Sequence, residues 1–127
     1  MIAGIGLDLC KIERMKKAIE RPRFVERVFT AAEAERIRAA SEIRRAEIAA
    51  GLFAAKEAVS KALGTGLAGI GTAEIEITPD AAGRPRCALS GKAHDRARAL
   101  CGEGYTVWVS ITHEAGVAAA TAILESA

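Results

Sequence analysis

The most informative stretch of the sequence is FAAKEAVSKALGTG, at residues 53–66. These residues have the pattern of the end of a long helix that begins after Ser41 and stops at Gly64, because serine often begins helices and glycine often ends them. At helical spacing one face carries an apolar stripe, formed by Ile48, Leu52, Ala55, Val59 and Leu63. Lys56 falls near this stripe, where an ammonium group is costly unless it has an anionic partner.

The opposite side of the same helix carries Glu57 and Lys61, one turn apart. Spacing alone favours an ordinary solvated ion pair, which stabilises a helix by about 0.2–0.5 kcal/mol. The glycines that follow favour a functional site instead. A helix C-cap explains Gly64 but not Gly66, and glycine lets the backbone approach a phosphate closely. Lys61, Gly64 and Gly66 are therefore candidate phosphate-binding residues.

The pattern of the whole chain predicts helices mostly early and strands mostly late. Strands are predicted over residues 2–7, 73–78, 84–89, 105–112 and 117–124. Helices are predicted over residues 11–21, from Thr30 with a Thr-Ala-Ala-Glu capping box, over 41–64 and over 90–100. Pro22 is expected to end the first helix, and residues 67–72 to form a loop. The prediction is an α+β fold with early helices packed on a largely antiparallel sheet.

Asp8 and His113 are two further candidates, because each is predicted near a strand end. Asp8 follows Gly4 and Gly6 in GIGLD, which lacks the spacing of a dinucleotide-binding fingerprint. Asp8 could simply cap the next helix, and a lone histidine is more often a turn residue than a catalyst. Together, however, Asp8 and Glu57 would form a sparse oxygen site of the kind that Mg²⁺ uses with substrate phosphates.

Composition limits the class of protein. A chain of 127 residues fits one domain over residues 1–127, and 50% hydrophobic with 27% charged residues is typical of a globular protein. Aromatic residues are only 4% and the net charge is +2, so nucleic acid is not an expected partner. No apolar run is long enough for a membrane span, and the first residues do not resemble a signal peptide. Three cysteines without C-x-x-C spacing predict reduced thiols in the cytoplasm.

Three segments occur in a characteristic order: GIGLDLCKIERM at residues 4–15, FAAKEAVSKALGTG at 53–66 and VWVSITHEAGVAAA at 107–120. With these segments the chain resembles the holo-[acyl-carrier-protein] synthase family, the small type of 4'-phosphopantetheinyl transferase, over nearly its whole length. The resemblance implies transfer of 4'-phosphopantetheine from coenzyme A to a serine of acyl carrier protein, with release of adenosine 3',5'-bisphosphate. It also implies a homotrimer with active sites between neighbouring subunits.

The resemblance assigns roles to individual residues. It makes Asp8 and Glu57 the Mg²⁺ ligands, Lys61 a contact of the coenzyme A phosphates and His113 a residue that lines the coenzyme A site. Phosphoryl chemistry depends on charge neutralisation and positioning, so Glu57 is also the expected base and Lys61 the group that neutralises the leaving phosphate. One departure is Leu52, where the family usually carries an arginine. Arg44 or Arg45 could compensate for it.

The first predicted helix carries a basic stripe that we assign to partner binding. Arg14, Lys17 and Arg21 lie on the side opposite the apolar residues, and Arg23 and Arg27 follow just beyond. A solvated helix face is the ordinary explanation of such a stripe. The functional interpretation is a docking surface for an acyl carrier protein, because the resemblance implies an acidic partner.

Two other functions remain open at this stage. A metal-dependent hydrolase of coenzyme A would use the same carboxylates with water as the nucleophile. A non-catalytic trimeric interaction module would bind no coenzyme A in a metal-dependent way. The order of three motifs favours the transferase over both.

Overall fold

A computed structural model describes residues 1–66 and 69–127 of the chain. The strands are β1 (Ile2–Lys11), β2 (Ile75–Pro79), β3 (Pro85–Leu89), β4 (Thr106–Glu114) and β5 (Val117–Glu125). The helices are α1 (Ile12–Ala18), α2 (Pro22–Val28), α3 (Ala31–Ala39), α4 (Glu42–Ala62) and α5 (Gly91–Cys101), with a 3₁₀ turn at Thr72–Glu74. The α+β prediction is confirmed. The loop predicted over residues 67–72 lies partly outside the described residues.

The strands pair only in antiparallel fashion among the described residues. One sheet has the order β1-β5-β4, and β2 and β3 form a separate hairpin. Helix α4 packs on one face of the three-stranded sheet and buries the predicted stripe, in which Leu52 is 1% exposed and Val59 0%. Two glycines let β1 approach this helix closely. A Cβ atom at Gly4 or Gly6 would lie within 2 Å of a carbonyl oxygen of α4.

The other face of the three-stranded sheet is apolar and exposed in the single chain. On β1, Ile5, Leu7 and Leu9 are 70%, 60% and 67% exposed, and Trp108 on β4 is 44% exposed. The register places Ile5 opposite Ile123 of β5, which in turn lies opposite Trp108. These side chains form a continuous apolar surface, and large patches of this kind usually mark an interaction site.

Lys56 has the anionic partner that its position requires. Its Nζ lies 2.6 Å from Oε1 of Glu33, and both side chains are fully buried. Lys56 also donates to the carbonyl oxygens of Thr72 and Ile75, while Glu33 accepts from the backbone N–H of Ile77. Burial lowers the pKa of Lys56, and Glu33 opposes that shift. Lys56 therefore joins α3, α4 and β2, and it faces away from Glu57's side of the helix.

The structure differs from several of the predicted boundaries. The strand predicted from residue 73 begins at Ile75, after the 3₁₀ turn at Thr72–Glu74. Helix α1 ends at Ala18, and Pro22 begins α2 rather than only ending the helix before it. This is a favourable position, since proline lacks an N–H that the first turn would leave unpaired. Strand β1 continues through Asp8 to Lys11. The capping box of Thr30 with Glu33 is present as predicted. No helix in the described part of the chain is long and apolar enough to cross a membrane.

Candidate functional site

The centre of the candidate site is an ion pair between β1 and α4. Lys61 Nζ lies 2.9 Å from Oδ1 of Asp8 and also donates to the carbonyl oxygen of Leu7 at 3.0 Å. The hydrogen bond to Asp8 raises the pKa of Lys61, so the ammonium form is favoured. Lys61 is thus paired across the fold rather than with Glu57 one turn earlier, and the simple i,i+4 interpretation is wrong. Its side chain remains 51% exposed and accessible to a ligand.

Glu57 lies beside this pair on the same side of α4. Burial, and then the negative charge of Asp8, raise the pKa of Glu57 above its usual range. Two carboxylates whose charges disfavour each other, next to one ammonium, provide oxygen ligands suited to Mg²⁺. Among residues 1–66 and 69–127, no three His, Cys, Asp or Glu side chains converge as a metal site. Any magnesium bound here would have Asp8 and Glu57 as its protein ligands, and the remaining positions would be open to water and phosphate.

The glycine turn after α4 extends the site. The helix is capped at Leu63, and Gly64 and Gly66 both have positive φ, +76° and +58°. A side chain at either residue would be strained in this left-handed conformation. A Cβ at Gly66 would meet no atom of residues 1–66 and 69–127 within 4 Å, so the described residues leave this backbone open to an approaching group. The adjoining carbonyl of Leu63 accepts a hydrogen bond from Nε of Arg96 on α5, a contact that no local sequence signal indicates.

His113 lies in a different place from the carboxylates. It belongs to β4, and its Nε2 lies 2.9 Å from Oε1 of Glu47 near the start of α4. His113 lines a cleft with Gly51 and Leu52. Gly51 precedes Lys61 by ten residues, which is about 15 Å along a helix. Within one chain, His113 is therefore not part of the Asp8, Glu57 and Lys61 cluster.

The basic stripe of α1 borders a groove that leads to the carboxylates. Arg14 and Lys17 of α1 line this groove together with Met15 and Phe53. Arg21 lines it too, but α1 ends at Ala18, so Arg21 lies just before α2 and not on the first helix as predicted. Phe53 lies one turn before Glu57 on α4, and the positive charge of Arg14 partly opposes the rise in the pKa of Glu57. The groove and the candidate site are therefore adjacent.

Arg23 and Arg27 were predicted to extend the basic stripe. Both lie on α2 and are exposed, but neither is among the residues that line the groove. The five basic residues therefore divide into three at the groove and two on the neighbouring helix.

The fold and the site define an α+β protein with a carboxylate–lysine cluster suited to a phosphorylated substrate. A family model described as the 4'-phosphopantetheinyl transferase superfamily matches residues 4–120. The chain belongs to this superfamily, and it is a transferase by class.

Relatives agree over nearly the full length. Holo-[acyl-carrier-protein] synthase of Solidesulfovibrio magneticus is 47% identical, with 98% of this chain and 99% of that protein covered. The enzyme of the same name from Clostridium botulinum is 44% identical, with 98% of each covered.

Solved structures show the same fold. The crystal structure of a holo-(acyl-carrier-protein) synthase from Bacillus anthracis in complex with CoA (3',5'-ADP) has a TM-score of 0.83 and 34% identity, and covers 100% of this chain and 99% of that one. The Helicobacter pylori enzyme in complex with coenzyme A has a TM-score of 0.79 and 29% identity, with coverage of 95% and 99%.

Proposed function

We propose that residues 1–127 act as one domain that transfers 4'-phosphopantetheine from coenzyme A to a serine of acyl carrier protein. The observation that carries this proposal is the pairing of Lys61 with Asp8 beside Glu57, next to an open glycine turn. This arrangement places one cation, two carboxylates and accessible backbone at one end of a rigid helix. The superfamily membership and the full-length relatives support the same reaction.

The reaction requires little covalent chemistry from the protein. The serine oxygen forms a bond to the β-phosphorus of coenzyme A, and the bond between that phosphorus and the bridging oxygen breaks. The serine proton passes to Glu57, which lies beside the Asp8–Lys61 pair; in the metal-free site, burial and the charge of Asp8 raise the pKa of this carboxylate. Lys61 neutralises charge on the departing adenosine 3',5'-bisphosphate, and its raised pKa keeps it charged. Glycines 64 and 66 leave room for a phosphate against the backbone.

Magnesium fits the two carboxylates as a proposed cofactor. Asp8 and Glu57 are hard oxygen donors, and Lys61 hydrogen-bonds only one of the Asp8 oxygens, Oδ1. The metal would supply charge neutralisation to the pyrophosphate. The side chains of this chain would still have to orient the phosphates and move the proton.

Acyl carrier protein would dock in the basic groove. Arg14 and Lys17 are exposed on α1 and Arg21 is exposed just before α2, while Met15 of α1 is buried at 2% exposure. The groove ends near Glu57, so a carrier protein bound there would present its serine close to the proposed base. An acidic partner would be attracted mainly through a faster association rate. Arg23 and Arg27 would contribute long-range charge from α2.

A homotrimer is the assembly we propose. The exposed apolar surface of Ile5, Leu7, Leu9 and Trp108 needs a cover, and a closed ring of three identical copies provides one without leaving a free edge. His113 and Lys61 lie far apart within one chain, which supports active sites between neighbouring copies. In such a trimer, His113 of one copy and Lys61 of the next would line the same coenzyme A site. Sedimentation should show a trimer, and a fully active monomer would contradict this assembly.

The decisive experiment follows the mass of an acyl carrier protein incubated with coenzyme A and Mg²⁺. The expected result is a mass increase of the carrier, loss of that increase in excess chelator, and its return with Mg²⁺. Glu57→Gln should remove most of the activity while leaving the fold unchanged. A matched control is Glu35→Gln, because Glu35 is an exposed carboxylate on α3 that is paired with Arg38 far from the site.

The same experiment separates the competing functions. Cleavage of coenzyme A without carrier modification would indicate a hydrolase. Neither cleavage nor metal-dependent binding of coenzyme A would indicate an interaction module. Full transfer in excess chelator would reject the magnesium site while leaving the transferase function in place. We propose that the reaction occurs in the cytoplasm, which is consistent with the three free thiols of Cys10, Cys87 and Cys101.

A further inference from the structure

Helix α5 lies against the glycine turn that follows α4. Nε of Arg96 on α5 donates a hydrogen bond of 2.9 Å to the carbonyl oxygen of Leu63, the residue that caps α4. Arg96 is half-buried, and a Cβ placed on Gly64 would lie 3.5 Å from its Nη2. The guanidinium group therefore packs directly against the start of the glycine turn.

The carbonyl of Leu63 needs a partner because it stands at the end of a helix. The last carbonyls of an α-helix have no following turn to donate to them, and the aligned peptide dipoles make this end partly negative. The N–H of Gly64 is already engaged, since it donates to the carbonyl of Lys61 at 3.0 Å. A cationic donor from another element satisfies the Leu63 carbonyl and opposes the negative end of α4. It also fixes the direction in which the chain leaves the helix.

Helix α5 is anchored to the rest of the fold by contacts that do not involve Arg96. On its inner face, Ala93 and Ala97 are both 0% exposed. At its start, Oε2 of Glu74 accepts a hydrogen bond of 3.0 Å from the backbone N–H of Lys92, and a carboxylate is favourable at the positive end of a helix. Arg96 therefore reaches the glycine turn from a fixed position.

We propose that Arg96 is a positioning residue for the glycine turn at Gly64 and Gly66. This inference rests on the proposed function, in which the turn leaves room for a phosphate of coenzyme A. Glycine has more conformational freedom than any other residue, so a turn with two glycines needs an outside contact to hold one conformation. Arg96 acts through the carbonyl of Leu63 and holds the turn open before the substrate arrives. Such preorganisation reduces the free energy that binding loses in ordering the turn.

Two substitutions separate the hydrogen bond of Arg96 from its positive charge. In Arg96→Gln the amide nitrogen stands as many bonds from the backbone as Nε does, so the donor is kept and the charge is removed. Arg96→Met has a side chain of similar length without a donor. The KM for coenzyme A should rise about fivefold in Arg96→Met, the effect of one hydrogen bond, and stay within about twofold of wild type in Arg96→Gln. The KM for acyl carrier protein should change in neither variant, because the turn is proposed to contact coenzyme A.

A matched control lies on the same helix. Arg98 is also on α5, but it pairs with Glu103. Arg98→Met removes a cation from α5 without touching the turn, so it should leave both KM values unchanged. A rise in the KM for coenzyme A as large as that of Arg96→Met would overturn the inference, because any loss of charge from α5 would then have the same effect.

A binding measurement keeps the inference independent of carrier modification. Calorimetry with coenzyme A and Mg²⁺ should show about fivefold weaker binding in Arg96→Met and nearly normal binding in Arg96→Gln. Hydrogen exchange at the amide of Gly64 should be faster in Arg96→Met than in Arg96→Gln, because the turn is less restrained. Equal losses of affinity in the two variants, or no loss in Arg96→Met, would overturn the role of Arg96. If the variants differ as expected but the wild-type protein modifies no carrier, the proposed transfer is rejected and the positioning role stands.

Discussion

The close contact between β1 and α4 at Gly6 gives the sharpest test of how the fold builds the site. A Cβ at this position would lie 1.8 Å from the carbonyl oxygen of Ala58 and 2.8 Å from its carbon. These are backbone atoms of a helix, so no side-chain rotation can relieve the clash. The strand and the helix would have to separate by roughly 1.5 Å to restore an ordinary contact between non-bonded atoms.

The expected cost of Gly6→Ala follows from that displacement. Overpacking typically destabilises a protein by about 1–3 kcal/mol, and a clash with backbone belongs at the upper end of that range. Asp8 is two residues further along β1, so the same movement would pull it away from Lys61, now 2.9 Å distant. A misplacement of about 1 Å can cost on the order of 100-fold in rate. We expect losses of both stability and activity.

The assay is urea denaturation at fixed protein concentration, together with carrier-modification rates. The control is Gly51→Ala on α4. There, among the described residues, a Cβ would meet Cγ2 of the Ile111 side chain at 3.0 Å, and alanine improves helix propensity by up to about 1 kcal/mol. This variant should stay within about 1 kcal/mol of wild type. If Gly6→Ala proves as stable as Gly51→Ala, the close approach of β1 to α4 is refuted.

Three further predictions concern charged groups. Lys56→Met should lower the free energy of unfolding by about 3–5 kcal/mol in urea denaturation, because it leaves the Glu33 carboxylate buried without its partner. The double variant Lys56→Met/Glu33→Leu should recover part of this loss. An unchanged free energy of unfolding in Lys56→Met would argue against the buried pair. Burial and the charge of Asp8 raise the pKa of Glu57, so protons should displace Mg²⁺ from Glu57 at a higher pH than from an ordinary glutamate. The affinity for Mg²⁺, measured by calorimetry, should be constant above that raised pKa and fall below it. A Mg²⁺ affinity that does not change with pH would contradict the metal site. Arg21→Glu should weaken carrier-protein affinity and reduce its salt dependence while leaving coenzyme A affinity unchanged, measured at two salt concentrations. Unchanged carrier affinity would mean that the basic stripe is only a solvated surface.

Local rules were sufficient for much of the fold. The apolar stripe of α4, the capping box at Thr30 and the strand predicted over residues 105–112 each depend on residues a few positions apart, and each is confirmed. Pro22 shows the limit of such rules, because proline both ends one helix and begins another. The choice between these depends on which packing the following residues find.

The order of three sequence motifs was enough to single out Asp8, Glu57 and Lys61 as the residues that carry the candidate chemistry. The partners of the charged side chains, in contrast, depend on how distant segments pack together. Lys61 reaches Asp8 across 53 positions of sequence, Lys56 turns to Glu33, and Arg96 donates to the carbonyl of Leu63. Helix periodicity fixes the side on which a residue lies, but electrostatic pairing depends on which distant segment packs against that side. That packing depends on how the whole core is buried. It also depends on Gly4 and Gly6, which have no side chain and therefore let β1 lie directly against α4.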